Sequence, residues 1–483
     1  MCAAQSGPMK VVEISCRPAH CETVPDAALL RTMDQTGPRY TSYPTEDRFV
    51  EAFSESLYRR ALWMRVHGVP LASSLLPLLI HVHVPFCESV SYYCACNQIV
   101  TRHHDRAVPY LQALAREVAL HVAQLGRGQP VLQVHIGGGS PTFLSDPQLR
   151  QLMDLLREAF TLLPDADVAI EIDPRTVDAQ RLRNLAALGF NRISLGVQDL
   201  DPQVQRAVHH VQTEAMVHSL RDEARTLGMV STNFDLIYGL PQQTMASIDR
   251  TIGRVIMMRP DRIALYGYAH LPQRFKPQRH IDVDQLPPPE LRIRMLAKAI
   301  QSFTSAGYVY IGMDHFALPT DSLAVAKARG LLNRNFLGYS ARPDGDLIGL
   351  GVSAIGSVGA TYSQNAKTLG EYYDALRQGL FPVVRGLSLN RDDVLRRAIM
   401  MALMCQGRVD FDEMSHAHLV DMPAYFADEL KALAALQRLG LVNVGDQAIE
   451  VTKRGWFMIR AIAMVFDRYA RADRQRVQFS RIV

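Results

Sequence analysis

Short apolar runs alternate with longer amphipathic stretches through the middle of this chain. Leu78–Val84, Leu132–Ile136, Val168–Ile172, Arg192–Val197, Thr232–Tyr238 and Arg262–Tyr268 are compact and rich in β-branched and aliphatic residues, and they predict strands. Between them, stretches such as Tyr110–Leu125 and Pro147–Phe160 repeat apolar residues at helical spacing. Alternation at this spacing predicts βα units and a parallel sheet, an α/β fold. After about residue 385 the pattern changes. Arg391–Cys405 and Ala427–Leu439 predict helices, the second ending at Gly440. Leu441–Val451 predicts a short hairpin and Gly455–Tyr469 a final helix. Helices followed by a hairpin suggest a winged-helix variant. Their mixed charge favours a packing domain over a DNA reader.

Residues able to do chemistry recur at one register of these units. Cys87 follows the first strand and Gly137–Gly139 the second. Glu171 lies near the end of the third, Gln198 just after the fourth, Asp235 inside the fifth and Ala269 at the end of the sixth. In parallel barrels the C-terminal strand ends carry the active site.

Composition narrows the class. The chain has 483 residues, 48% of them hydrophobic and 21% charged, with a net charge of +4, which is ordinary for a globular protein. The charge gives no reason to expect a nucleic-acid partner. No apolar run is long enough to span a bilayer; Leu71–Val84 is interrupted by Pro77. Seven cysteines, three clustered and four scattered, do not make a disulfide framework and fit a reducing, cytoplasmic setting.

The cluster lies in His81-Val-His-Val-Pro-Phe-Cys-Glu-Ser-Val-Ser-Tyr-Tyr-Cys-Ala-Cys-Asn. With a cysteine at position 91 it would read Cys-x3-Cys-x2-Cys, the spacing of the radical S-adenosylmethionine (SAM) enzymes. Position 91 is Ser. Iron–sulfur clusters are held by thiolates, and a serine hydroxyl is harder and less acidic, so it should ligate weakly. Cys96 offers another thiol nearby, one residue beyond Cys94 where the motif asks for two. His81 and His83, two apart on one strand, admit a simple metal site or plain packing.

The chain resembles the oxygen-independent coproporphyrinogen III oxidase (coproporphyrinogen dehydrogenase) family from about residue 30 onward. The resemblance rests on Gly37-Pro-Arg-Tyr-Thr-Ser-Tyr-Pro-Thr45, Cys96-Asn-Gln-Ile-Val-Thr-Arg102, Gly137-Gly-Gly-Ser-Pro-Thr142 and Ile170-Glu-Ile-Asp-Pro-Arg175. It continues through Gly196-Val-Gln-Asp199, Asp235-Leu-Ile-Tyr-Gly-Leu-Pro241, Tyr268-Ala-His-Leu-Pro272 and Gly312-Met-Asp-His-Phe316. It implies a partial (β/α)6 radical-SAM barrel with a mostly helical, winged-helix-like C-terminal domain. The division it implies is an N-terminal extension over 1–25, a segment covering the active site over 26–75, the barrel and its extension over 76–384, and the C-terminal domain over 385–483. The implied cofactors are a [4Fe-4S] cluster and SAM. The implied cluster positions are Cys87, Cys94 and Ser91, with Cys96 as a candidate substitute. The implied cofactor contacts are His81, Tyr93, Gly138, Gly139, Ser140, Glu171, Gln198, His210, Asp235, Ala269 and Ile355. Glu171 would accept both ribose hydroxyls of SAM.

The implied reaction is oxidative decarboxylation of two propionates of coproporphyrinogen III to vinyl groups, in heme biosynthesis. The implied protein is a monomer served by a flavodoxin- or ferredoxin-type electron donor. Arg39, Arg334 and Phe336 are substrate-side candidates, the arginines as clamps for substrate carboxylates. The chain departs from the family at His81, Ser91, His210 and Leu337, where the family has Tyr, Cys, Arg and Gln. These departures fall on the site and leave the fold motifs intact. They admit two readings: activity with altered ligation, or a tetrapyrrole- or heme-binding protein that no longer catalyses.

Overall fold

The computed structural model describes Leu29, Arg31, residues 37–68 and residues 76–472. The extension expected over 1–25 lies outside the described residues, as does part of the 26–75 segment. All six expected strands form: β1 (Leu78–Val84), β2 (Gln129–Gly138), β3 (Phe160–Ile172), β4 (Arg192–Gln198), β5 (Ser231–Tyr238) and β6 (Arg262–Gly267). They pair in parallel in chain order, as right-handed βα units require. Burial on both faces explains the largely apolar run of β1, interrupted by His81 and His83, in which only His81 is not fully buried. The crossing helices start where the sequence caps them. Ser145 and Gln148 form a capping box before Asp146–Ala159, which buries Leu149, Leu152, Met153 and Leu156 against the sheet.

The sheet continues past these six, to twelve strands. Beyond β6 lie His315–Ala317 and Val309–Gly312, both antiparallel. Beyond β1 lie Leu347–Leu350, parallel to β1, and then Ile355–Val358, Thr361–Asn365 and Val383–Ser388, antiparallel. The sequence reading lacked all six. They are three to six residues long, too short for a period of two to show. One buried carboxylate ties this extension to the helix Ala107–Leu125. Glu117 accepts from the Tyr372 hydroxyl (2.6 Å), the Asn365 amide (2.7 Å) and the Gly351 backbone N–H (2.8 Å).

The C-terminal region holds the expected helices as Arg391–Gln406 and Ala427–Arg438. The expected hairpin is Val442–Val444 with Ala448–Val451, joined by Arg408–Asp410 into a three-stranded sheet. The final helix expected over Gly455–Tyr469 is instead three pieces: a 3-10 turn at Gly455–Met458 and helices Ile459–Met464 and Arg468–Ala472. Asp467 causes the last break. It is buried, accepts from the Tyr40 hydroxyl at 2.8 Å, and accepts the amides of Tyr469 and Ala470, which starts the next helix. This region packs on the barrel: Tyr339 donates to the Met404 carbonyl at 3.2 Å, and Lys327 Nζ lies 3.6 Å from the Trp456 ring centre. Among the described residues, no helix is long and apolar enough to cross a membrane.

Candidate functional site at the C-terminal rim of the barrel

The loop after β1 is pinned at both ends. Phe86–Cys87 pairs in parallel with Ile99–Val100, closing residues 88–98 into a loop above the strand ends. The glycine run after β2 is fastened to this loop: Gly139 N–H donates to Val84 O and Ser140 N–H to Phe86 O, each at 2.8 Å. A Cβ on Gly139 would stand 2.7 Å from the Pro85 carbonyl oxygen, so this approach of two backbones requires glycine. Gly138 has φ +116°, and a Cβ there would meet the His83 ring.

Cys87, Ser91, Tyr93, Cys94, Gly139, Ser140, Glu171, Gln198, His210 and Asp235 line one cavity of about 320 Å3 at the rim. These residues, named from the sequence, come from six separate segments. Gln198 reaches it through a local irregularity: the β4–β5 register shifts between Gly196 and Gln198, and Gln198 takes φ +62°. A non-glycine residue held there marks a site where the surroundings dictate the backbone. Glu171 stands at the base. Its Oε2 accepts the Gly138 N–H at 3.0 Å and its Oε1 lies 3.5 Å from His135 Nε2. Burial pushes its carboxyl up to about 7, with the Gly138 amide opposing. Burial likewise pushes Asp235 up to about 6, against hydrogen bonds from Ser194 (2.6 Å) and Asn233 (3.0 Å).

A second cavity of about 410 Å3 fills the barrel interior and shares Tyr93, Glu171, Ser194, Gln198 and Asp235 with the first. Much of its wall follows the period of two along the strands, with Gln133 and His135; Asp167, Ala169 and Glu171; Arg192 and Ser194; Asn233 and Asp235; and Ala264 and Tyr266, while Ile170, Ile193 and Ile263 line it between them. Sequence reasoning missed His135, Ser194, Asn233 and Tyr266. Polar residues at alternate positions of otherwise apolar strands were the available signal. His81 reaches this group through His135, Nδ1 to Nδ1 at 3.0 Å with the rings stacked. Burial holds both imidazoles well below the usual histidine range, so this contact joins two neutral rings. His83 hydrogen-bonds the Asn97 carbonyl at 3.0 Å.

Two of the departures from the family pattern meet. The Ser91 hydroxyl donates to His210 Nδ1 at 3.0 Å, a buried bond across 119 positions of the chain. Burial and the Arg175 charge lower His210 to about 4, which leaves its ring nitrogen free to accept. Leu337, another departure, lines the interior cavity. Cys94 and Cys96 bring their sulfurs within 2.9 Å, and the contact lowers the Cys94 thiol. Burial pushes the Cys87 thiol up to about 12; it reaches Gln98 Oε1 at 3.4 Å.

Other named residues lie apart. Ile355 opens a strand two places beyond β1, and Ala269 follows β6. Phe336 packs among Phe49 and Tyr362. Arg334 is buried and donates to the carbonyls of Tyr40 (3.2 Å) and Arg39 (3.1 Å), so it holds the 37–40 segment in place. Arg39 itself lies over the Tyr266 ring, 5.1 Å from its centre. Among the described residues, no three His, Cys, Asp or Glu side chains stand ready-made around a metal position.

The radical SAM superfamily model matches residues 81–255, and the HemN C-terminal domain model matches residues 389–458. The oxygen-independent coproporphyrinogen III oxidase of Pseudomonas aeruginosa is 45% identical over 462 residues, 95% of this chain and 98% of the relative. That of Escherichia coli is 44% identical over 458 residues, again 95% and 98%. The chain belongs to the oxygen-independent coproporphyrinogen III oxidase family. A solved structure of the Escherichia coli coproporphyrinogen III oxidase, described as a radical SAM enzyme, superposes with TM-score 0.86 at 43% identity, covering 93% of this chain and all of that one.

Membership of the radical SAM superfamily implies a [4Fe-4S] cluster and SAM. The SAM side fits this oxidase-family site: a side-chain-free glycine run and a half-buried carboxylate face one cavity with the loop that carries the cysteines. The motif positions for the cluster do not fit. Cys87 and Cys94 are thiols, but the third donor is a hydroxyl already bound to a buried imidazole.

Proposed function

We propose that this chain is a SAM-dependent enzyme of heme biosynthesis that converts propionates of coproporphyrinogen III to vinyl groups, giving protoporphyrinogen IX. Each –CH2–CH2–COO⁻ arm becomes –CH=CH2 and releases CO2, a proton and two electrons. Glu171 carries the reading: it is a carboxylate fixed by the Gly138 amide where the rim cavity opens into the barrel interior. On this reading Glu171 binds the ribose hydroxyls of SAM, Gly138, Gly139 and Ser140 face its methionine end, and Tyr93, Gln198 and Asp235 complete the wall. A propionate arm enters the interior cavity, and Arg39, over Tyr266, meets a substrate carboxylate. Of the segments expected over 26–75 and 385–483, residues 37–68 cover this mouth and residues 385–472 pack against the barrel and its extension, which span 76–384. The protein works as a cytoplasmic monomer supplied by a flavodoxin- or ferredoxin-type donor.

The test is anaerobic incubation of the reconstituted full chain with coproporphyrinogen III, SAM and a reductant, reading vinyl products and 5′-deoxyadenosine. One observation favours a second reading. The Ser91–His210 bond takes a motif position out of cluster binding, as expected of a family member that binds tetrapyrroles without cleaving SAM. Tight tetrapyrrole binding with no 5′-deoxyadenosine would select it.

A further inference from the structure

We propose that the thiolates holding the iron–sulfur cluster of this chain are Cys87, Cys94 and Cys96, with residue 91 outside the ligand set. The inference rests on the radical SAM reading and reassigns one ligand within it. Three observations carry it.

First, Ser91 has another role. Its hydroxyl is buried and bound to His210, and His210 is fixed from its other nitrogen by the Gly196 carbonyl at 3.3 Å, with the Tyr93 hydroxyl 3.4 Å from Nδ1. Turning Ser91 toward iron would break this bond, leave the His210 nitrogen buried without it, and supply only a hard oxygen donor. Second, Cys96 is already beside a motif thiol, its sulfur 2.9 Å from that of Cys94, and the residue is exposed, so its thiol is accessible to incoming iron. Third, the loop is closed from both sides. Phe86–Cys87 pairs with Ile99–Val100, Thr101 N–H donates to Cys87 O at 2.8 Å, and Cys87 Sγ reaches Gln98, two residues after Cys96. Position 96 is therefore only three residues from a strand paired with Cys87. The Cys-x6-Cys-x-Cys spacing, open along the chain, is compact in space. Binding separates the Cys94 and Cys96 sulfurs onto different irons, and each of the three thiols gives up its proton.

The experiment is anaerobic reconstitution of the full chain with ferric iron and sulfide in the presence of a thiol reductant, which reduces half of the iron to give the mixed-valence core. Iron and acid-labile sulfide are counted per chain, and electron paramagnetic resonance is recorded after dithionite reduction. The chain as given and Ser91→Ala should both hold about four irons with matching sulfide and show the reduced-cluster signal. Cys96→Ala, and Cys96→Ser as a second variant, should fall below one iron, as should Cys94→Ala, while their thermal melts stay in place. Ser91→Cys combined with Cys96→Ala should regain iron. Retention in Cys96→Ala with loss in Ser91→Ala would overturn the proposal and make the serine oxygen the ligand. An empty native chain beside a filled Ser91→Cys would also overturn it, while leaving the radical SAM reading standing. If neither the native chain nor Ser91→Cys takes up a cluster, both readings fall together.

Discussion

Replacing Glu171 with alanine should remove most of the chain's affinity for SAM and leave the fold intact. The magnitude follows from the site. The carboxylate keeps 41% of its side-chain surface open to the cavity, and one oxygen already accepts the Gly138 N–H. Two charge-assisted hydrogen bonds to ribose hydroxyls contribute about 1.5–3 kcal/mol each. Water entering the vacated space recovers part of that, leaving a loss of about 2–4 kcal/mol, or roughly 30- to 1000-fold in affinity. The pH dependence adds a second reading of the same group. Burial raises Glu171 to about 7, so the accepting carboxylate is fully formed only above that pH. SAM affinity should rise with pH up to about 7 and level off above it. Below, it should weaken by up to about tenfold per unit. Glu171→Gln should bind weakly with a flat profile. The assay is calorimetric titration of SAM into the full chain and both variants from pH 5.5 to 8.5, with thermal melts as the folding control. An affinity within about threefold of native in a folded Glu171→Ala, or a native profile with no break near neutrality, would refute the role given to this carboxylate.

Glu117→Ala should lower unfolding free energy by about 3–5 kcal/mol in denaturant titrations, because Tyr372, Asn365 and Gly351 each lose a buried partner. Burial raises Glu117 from 4.5 to about 7, so the folded state holds its proton longer than the unfolded chain. Stability should therefore fall as pH rises from about 4.5 to about 7, by on the order of 3 kcal/mol from this group, and Glu117→Gln should flatten that slope. Arg334→Met should destabilise by about 2–3 kcal/mol and expose the 37–43 segment to protease, since two hydrogen bonds to its carbonyls vanish. Arg39→Ala should shift the melt by no more than a few degrees and weaken tetrapyrrole binding severalfold in fluorescence titration, because its guanidinium makes a long 3.5 Å hydrogen bond to the Gly267 carbonyl, a ring contact with Tyr266 and a charge interaction with Asp314.

The sequence alone determined the parallel core and the register of the site. Runs such as Leu78–Val84 and Arg192–Val197 are long enough for their composition to declare strands, and the backbone period then assigns faces. Strand ends in a parallel sheet share one rim. Marking Cys87, Gly139, Glu171 and Gln198 at successive ends was thus enough to place them around one cavity. Tertiary structure decided what local patterning does not encode. The six added strands owe their conformation to neighbours across the sheet. The final helix breaks because Asp467 serves Tyr40, 427 positions away in the chain. Ser91 and His210 read separately as two departures from a motif; only the folding of one loop over another showed that they are a single buried hydrogen bond. The physical reason is the same in each case. Periodicity is a property of a few consecutive residues, whereas a partner supplied from a distant loop leaves no trace in the spacing of either segment.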